Sequence, residues 1–110
     1  MTRPAFKRPA PETRLGEHVP LDAQSVAAAP ASPGVYLLYR GHRLIYIGLA
    51  PTGSTIRQCL RHHLRGDGGP CTQAATEFDY ETSADPAPLY RHYLAVYLHT
   101  TGGLLPECND

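Results

Sequence analysis

The chain of 110 residues contains no long apolar run and no secretory signal. No apolar stretch approaches the ~20 residues that a membrane-spanning helix requires. Pro and Arg residues also interrupt the N-terminus, where a signal peptide would need an apolar core. These absences exclude a transmembrane or signal-bearing chain of the usual kind, and the length predicts one domain with one modest core.

The chain also lacks a paired set of cysteines. Cys59, Cys71 and Cys108 are odd in number and widely spaced, which is more typical of reduced thiols than of a disulfide framework. We therefore predict a cytoplasmic protein.

The glycines of 66–69 lack the lysine and spacing of a P-loop. Cys59 and His63 lie one helical turn apart and, with Cys71 or Cys108, leave a zinc site open as an alternative.

The charge is unevenly distributed although the net charge is zero. Residues 1–65 hold nine Lys and Arg against three acidic residues, a charge of +6, and residues 66–110 hold one Arg against seven, a charge of −6. This split suggests a region that faces a polyanion. A chance distribution with mutual neutralisation is the alternative.

Residues 1–32 are rich in Pro and Ala, and their first half is basic. We predict a flexible basic arm, which either contacts phosphates or only aids solubility. Within it, a helical turn in 20–29 is expected to pack Val19, Leu21 and Val26 onto a domain that spans 33–110.

The stretch 33–48 predicts a β-hairpin, because two runs rich in Val, Ile, Leu and Tyr flank a Gly turn. A two-residue turn would place Tyr36 and Tyr46 on opposite faces of the sheet. A three-residue turn would pair Tyr36 with Gly48 and place both hydroxyls on one face, with room beside Gly48 for a substrate. A shared role for the tyrosines requires the second register.

Three further elements follow the hairpin. Ser54 or Thr55 is expected to cap a helix from Ile56 to about Arg65, 76–82 alternates as a third strand, and a second helix covers 89–99. The C-terminal tail is expected to lie along the sheet. The predicted fold is therefore α+β, a small and mainly antiparallel sheet of three strands with helices packed on it.

Two tripeptides, Gly34-Val35-Tyr36 and Tyr46-Ile47-Gly48, follow a Ser-Pro lead-in and precede a basic helix. This arrangement resembles the GIY-YIG nuclease superfamily, and the spacing of ten between the tyrosines is similar to that in its excision-repair members. The resemblance covers about residues 33–109. It implies that Tyr36 or Tyr46 acts as a base and that Asn109, after the last helix, supports the site. His63 matches a His or Tyr of the family.

The family's phosphate-binding Arg has no match, because Cys59 occupies that position of the first helix. Arg57 and Arg61 flank it and are our candidates for the phosphate contact, although they project roughly 160° away from Cys59. With Arg65 they form a basic stripe that would suit a nucleic acid, or would simply be solvated. Gly48 and Asn109 complete the predicted nucleic-acid contacts.

The family's metal-binding Glu has no match either, since Arg91 is the best aligned residue of the second helix. Glu81 on the third strand is the substitute predicted to hold one Mg²⁺ or Mn²⁺ ion. The resemblance thus predicts a metal-dependent endonuclease acting on DNA. The alternatives are a DNA- or RNA-binding domain of the same fold that has lost cleavage, and an unrelated small interaction domain.

Overall fold

One antiparallel sheet with helices on both faces forms the domain. The computed structural model describes residues 18–109, and the predicted arm before residue 18 lies outside that range. The elements are β1 (Val19–Pro20), α1 (Ala23–Ala27), β2 (Gly34–Arg40), β3 (Arg43–Ala50), α2 (Ile56–Leu64), α3 (Pro70–Gln73), β4 (Glu77–Thr82) and α4 (Pro86–Thr101). The strand order is β1-β4-β2-β3. The α+β class is confirmed, with four strands instead of the predicted three.

The additional strand begins the domain earlier than residue 33. Val19 pairs with Phe78 of β4, and the buried Val26 of α1 joins the core. The predicted packing of Val19, Leu21 and Val26 is confirmed. Residues 18–32 therefore belong to the folded domain. A two-residue strand that contains a proline is too short to show an alternating pattern, so no local signal predicts it.

The hairpin combines features of the two registers that the sequence left open. Arg40 pairs with Arg43 across a two-residue turn that includes Gly41 at φ 64°. The pairing shifts by one residue between Leu38 and Tyr39, which leaves Ile45 as the extra residue of a bulge. Tyr36 consequently faces Gly48, and both tyrosines lie on one face of the sheet.

The two faces of the sheet support separate apolar layers. Thr55 caps α2 by accepting a hydrogen bond from the N–H of Gln58, and the helix packs Ile56 and Leu60 on one face. Helix α4 covers the other face with its half-buried residues, which are Leu89, Tyr90, Tyr93, Leu94 and Tyr97. None of the helices in the described range is long and apolar enough to cross a membrane.

The C-terminal tail lies along the outer edge of β3, as predicted. The N–H of Cys108 donates to the bulge carbonyl of Ile45 at 2.8 Å. Cys108 is joined by a disulfide to Cys71 of α3, a helix that the sequence did not predict. The prediction of three reduced thiols is therefore wrong, and only Cys59 is free. Cysteine usage no longer supports a cytoplasmic location.

Candidate functional site

Three aromatic side chains converge on the α2 face of the sheet. The rings of Tyr36 and Tyr46 have centroids 6.1 Å apart, and the imidazole of His63 lies 5.5 Å and 5.3 Å from them. Tyr36 comes from the central strand, Tyr46 from the edge strand and His63 from α2. The structure thus brings together the three residues predicted from the hairpin and the first helix.

His63 links Tyr36 to helix α3. Its Nε2 is 2.8 Å from the hydroxyl of Tyr36, and its Nδ1 is 3.0 Å from Oγ1 of Thr72. Burial, with a smaller contribution from His62, lowers the pKa of His63. The imidazole is therefore neutral at pH 7, and it donates at one nitrogen and accepts at the other. Tyr36, His63 and Thr72 form a directional chain of hydrogen bonds.

The two tyrosines differ in how accessible they are. Tyr36 is only 3% exposed, and burial is the main reason why its pKa lies far above the ordinary value. Tyr46 is half-buried, and its pKa is also raised, first by burial and then by the nearby Tyr90. Both phenols stay protonated at neutral pH. A molecule from solution can reach Tyr46, whereas Tyr36 can act only through His63 or Tyr46.

Gly48 does not provide room for a substrate. A Cβ at this position would overlap the ring of Tyr36, which packs directly on the backbone of β3. Glycine is required there because the ring fills the space that a side chain would occupy. The predicted substrate space beside Gly48 is therefore filled by Tyr36 itself.

The predicted metal ligand is on the other side of the sheet. Side chains of β4 alternate, so that Phe78 and Tyr80 pack with the tyrosine layer while Glu81 points towards α4. There Glu81 accepts a hydrogen bond from the hydroxyl of Tyr93. Glu81 and the tyrosine cluster cannot hold the same ion, so the structure does not support the predicted Mg²⁺ or Mn²⁺ site.

Helix α4 presents a different residue to the tyrosines than the one we aligned. Tyr90 is the α4 residue whose charge would disfavour ionisation of Tyr46, whereas Arg91 is exposed. The alignment of Arg91 with the family's Glu stays a prediction. Tyr90 packs with the apolar layer on the α4 side of the sheet and contributes to the raised pKa of Tyr46.

The arginines of α2 stand apart from the tyrosine cluster. Cys59 is close enough to Tyr36 to affect its pKa, and its thiol lies 3.9 Å from the hydroxyl of Ser54. Arg57 donates from Nε to the carbonyl of Ala29 at 2.9 Å and so holds the loop after α1. Arg61 is exposed. Neither arginine takes the place of Cys59, which agrees with the predicted helical phase.

The side-chain amide of Asn109 forms its hydrogen bonds with the backbone of β3. Its Oδ1 accepts from the N–H of Ile47 at 2.8 Å, and its Nδ2 donates to the carbonyl of Ile47 at 2.9 Å. Asn109 therefore fixes the strand next to Tyr46. This position agrees with a supporting role, while the predicted nucleic-acid contact is not favoured because both ends of the amide are occupied.

The zinc alternative does not fit the structure. Both ring nitrogens of His63 are engaged by hydrogen bonds, and Cys71 and Cys108 are bonded to each other. Across residues 18–109, the one group of three or more close His, Cys, Asp or Glu ligands is Cys71, Glu107 and Cys108. The residues at the tyrosine cluster thus offer no ligand set for zinc or for a divalent cation of the magnesium type.

Sequence reasoning missed the roles of Thr72, which bonds His63, and of Tyr90, which acts on Tyr46. No local pattern could have indicated them, because each partner is distant in the chain. Comparisons of this chain with models of protein families, with curated proteins and with solved structures found no match. The resemblance to the GIY-YIG superfamily therefore rests on the tripeptides, the order of the elements and the geometry described above.

Proposed function

We propose that this protein is a nucleic-acid-binding domain with the GIY-YIG layout that has lost metal-dependent cleavage. The observation that carries the proposal is the composition of the tyrosine cluster. The paired tyrosines and His63 converge, yet Cys59 takes the aligned position of the family's Arg, and Tyr90 is the α4 residue that acts on Tyr46. Beyond burial, the ionisable groups within residues 18–109 that shift the pKa of the two tyrosines are other phenols and a thiol.

The loss of cleavage follows from electrostatics. Hydrolysis of a phosphodiester requires stabilisation of the negative charge that develops on the phosphate, usually by a metal ion or an arginine. Cys59 supplies no guanidinium, and the phenol of Tyr90 is a poor ligand for magnesium, which prefers carboxylate, carbonyl and water oxygens. The tyrosine cluster can therefore form hydrogen bonds with a bound molecule but cannot stabilise the transition state.

The pairing of the cations supports the choice of one binding surface. Arg40 and Arg43 both bind Glu107, and Arg65 binds Asp67. Glu107 therefore offsets one of the two charges at the hairpin turn, and Asp67 offsets the charge of Arg65 at the C-terminal end of α2. Within residues 18–109, Arg61 is exposed and makes no ion pair, and it extends from the helix that also carries His63. We place the nucleic acid along α2, with Arg57 and Arg61 as phosphate contacts.

Binding is tested with fluorescently labelled duplex DNA, single-stranded DNA and duplex RNA at about 50 and 200 mM salt. Arg61→Gln should weaken binding several-fold at low salt and reduce the salt slope by about one, since it removes one phosphate contact. Arg65→Gln is the matched control, because Asp67 already neutralises that arginine on the same helix. Failure of all three nucleic acids to bind, or equal loss in both variants, would overturn the proposal.

A metal-dependent endonuclease is the second candidate, favoured by the hydrogen bond between Tyr36 and His63. In that case Tyr36→Phe or Tyr46→Phe should reduce plasmid cleavage in Mg²⁺ or Mn²⁺ by about a hundredfold or more, the usual share of general base catalysis. Our proposal instead predicts no metal-stimulated cleavage by the wild type.

Restoring the two missing groups separates the candidates further. We expect the double variant Cys59→Arg and Tyr90→Glu to gain metal binding and slow cleavage, more than either single change, because both groups act on one transition state. The matched control is Cys59→Arg with Arg91→Glu, which adds a carboxylate to the exposed side of α4. Equal gains in the two double variants would contradict the position assigned to Tyr90.

A further inference from the structure

The disulfide joins the two segments that hold the candidate site from opposite sides. Cys71 belongs to α3, which has four residues and is too short to be stable as an isolated helix. Cys108 belongs to the tail that lies along β3. The two cysteines are separated by 37 positions in the chain, so no local structure connects these segments apart from the bond itself.

Each cysteine is followed by a residue that acts on the tyrosine cluster. Thr72, next to Cys71, bonds the Nδ1 of His63. Asn109, next to Cys108, bonds both backbone groups of Ile47 beside Tyr46. The disulfide therefore connects the group that orients the imidazole with the group that fixes the edge strand.

We propose that Cys71 and Cys108 form a thiol–disulfide switch whose reduction by a dithiol loosens the tail on β3 and the hydrogen bond of Thr72 to His63. The effect on the fold does not depend on any ligand. The consequence for nucleic-acid affinity rests on the proposed function, because it acts through His63 and Tyr46.

Cys71 is the exposed member of the pair, and Cys108 is half-buried. A thiolate of the dithiol attacks Sγ of Cys71, the S–S bond breaks, and Cys108 leaves as a thiolate that takes up a proton. The second thiol of the reductant then attacks the mixed disulfide and releases Cys71. The protein disulfide gains two electrons, and the dithiol is oxidised to a cyclic disulfide.

After reduction, the ion pairs of the tail are solvent-exposed, while the buried Pro106 and the N–H of Cys108 on Ile45 still hold it. Arg40 and Arg43 are 44% and 67% exposed where they meet Glu107, and such surface ion pairs contribute little. The apolar residues Leu104 and Leu105 before the tail are themselves exposed and add little anchoring. The attachment to β3 then consists of the N–H of Cys108, which donates to Ile45, and the amide of Asn109 on Ile47.

The switch is tested by amide hydrogen exchange of the full chain with and without dithiothreitol. Thiol titration should find one reactive thiol in the oxidised protein, Cys59, and three after reduction. Reduction should increase the exchange rate of the Ile47 amide about tenfold or more, because that N–H is protected by Asn109. The amide of Leu38 in the central strand should keep its rate.

Two variants make the result specific. Cys71→Ser with Cys108→Ser should show the fast Ile47 exchange with or without reductant, whereas Cys59→Ser should respond to reductant like the wild type. Three free thiols in the air-oxidised protein, or an Ile47 amide that exchanges equally in both states, would overturn the switch.

Nucleic-acid binding is measured on the same samples. A several-fold difference in affinity between oxidised and reduced protein supports regulation of the site. A change in Ile47 exchange without any binding by either form would sink the proposed function while leaving the switch intact. Binding that is identical in both forms would restrict the switch to the fold and overturn its regulatory role.

Discussion

On the α2 face of the sheet the ionisable side chains in the core layer are phenols, an imidazole and a thiol, whereas the α4 face combines phenols with buried carboxylates. Tyr36 and Tyr46 meet His63 on the first face. On the second, Asp79 is fully buried and its Oδ2 lies 2.9 Å from Nδ1 of His18. Glu81 accepts from Tyr93 on the same side.

This difference between the two faces shows why the paired tyrosines Tyr36 and Tyr46 do not by themselves form a metal site. A divalent cation requires several oxygen ligands around one point, and the sheet keeps the buried acids of β4 away from the tyrosines. The acids serve the packing of the N-terminal segment and of α4, while the tyrosine cluster is assembled from hydrogen bonds between neutral groups.

The largest expected effect is on the acidic face. Asp79→Ala should lower the free energy of unfolding by about 4 kcal/mol, because it removes one partner of a buried pair and leaves His18 without its carboxylate. Chemical denaturation monitored by circular dichroism measures the change. Asp85→Ala is the control, since Asp85 is exposed and makes no side-chain cap. A loss below about 1 kcal/mol for Asp79→Ala would mean that the buried pair contributes little.

Gly48→Ala tests the packing of the tyrosine face. The new methyl group would overlap the ring of Tyr36, and we expect a loss of about 2–3 kcal/mol. In a Tyr36→Ala background the same change should cost much less, because the ring is gone. Additive losses in this double-mutant cycle would show that the strain arises elsewhere in β3.

Removing one hydroxyl from each face compares the two networks directly. Tyr93→Phe should cost about 2 kcal/mol, since its acceptor is a carboxyl group, and Tyr36→Phe about 1 kcal/mol, since its partner is a neutral imidazole. Both changes spare the ring, so each variant controls for the packing of the other. Equal or reversed losses in thermal unfolding would contradict the assignment of charged and neutral faces.

The smallest effect concerns pH. Burial lowers the pKa of His63 from the ordinary 6.5, so the unfolded chain binds a proton at a higher pH than the folded chain does. Stability therefore decreases as the pH falls through about 6.5. His63→Gln should remove this part of the pH dependence, visible as a flatter profile of unfolding free energy between about pH 7.5 and 5.5. An unchanged profile would show that His63 titrates normally.

Local physical rules account for what could be predicted. The caps and apolar spacing of α2, the alternation of β4 and the glycine at the end of α4 each depend on residues within a few positions of one another. The observed helix Ile56–Leu64 and strand Glu77–Thr82 differ from the predicted bounds by one residue at one end. The register that places Tyr36 and Tyr46 on one face was one of the two that the sequence left open.

The site depended on contacts between distant segments. The bulge at Ile45 selected the register, and the pairing of β4 with β2 placed Glu81 on the α4 side. The phase of α4 brought Tyr90, and not Arg91, towards Tyr46.

The sequence by itself determined the elements, the alternation along each strand and the types of residue available for chemistry. Only the tertiary structure decided which of them meet. The partners Thr72 and His63, Asn109 and Ile47, and Cys71 and Cys108 are separated by between 9 and 62 positions. Propensity and periodicity describe residues that are neighbours along the chain. These contacts depend instead on how whole helices and strands pack. Burial of the apolar face of each element fixes the position of every polar group that the element carries.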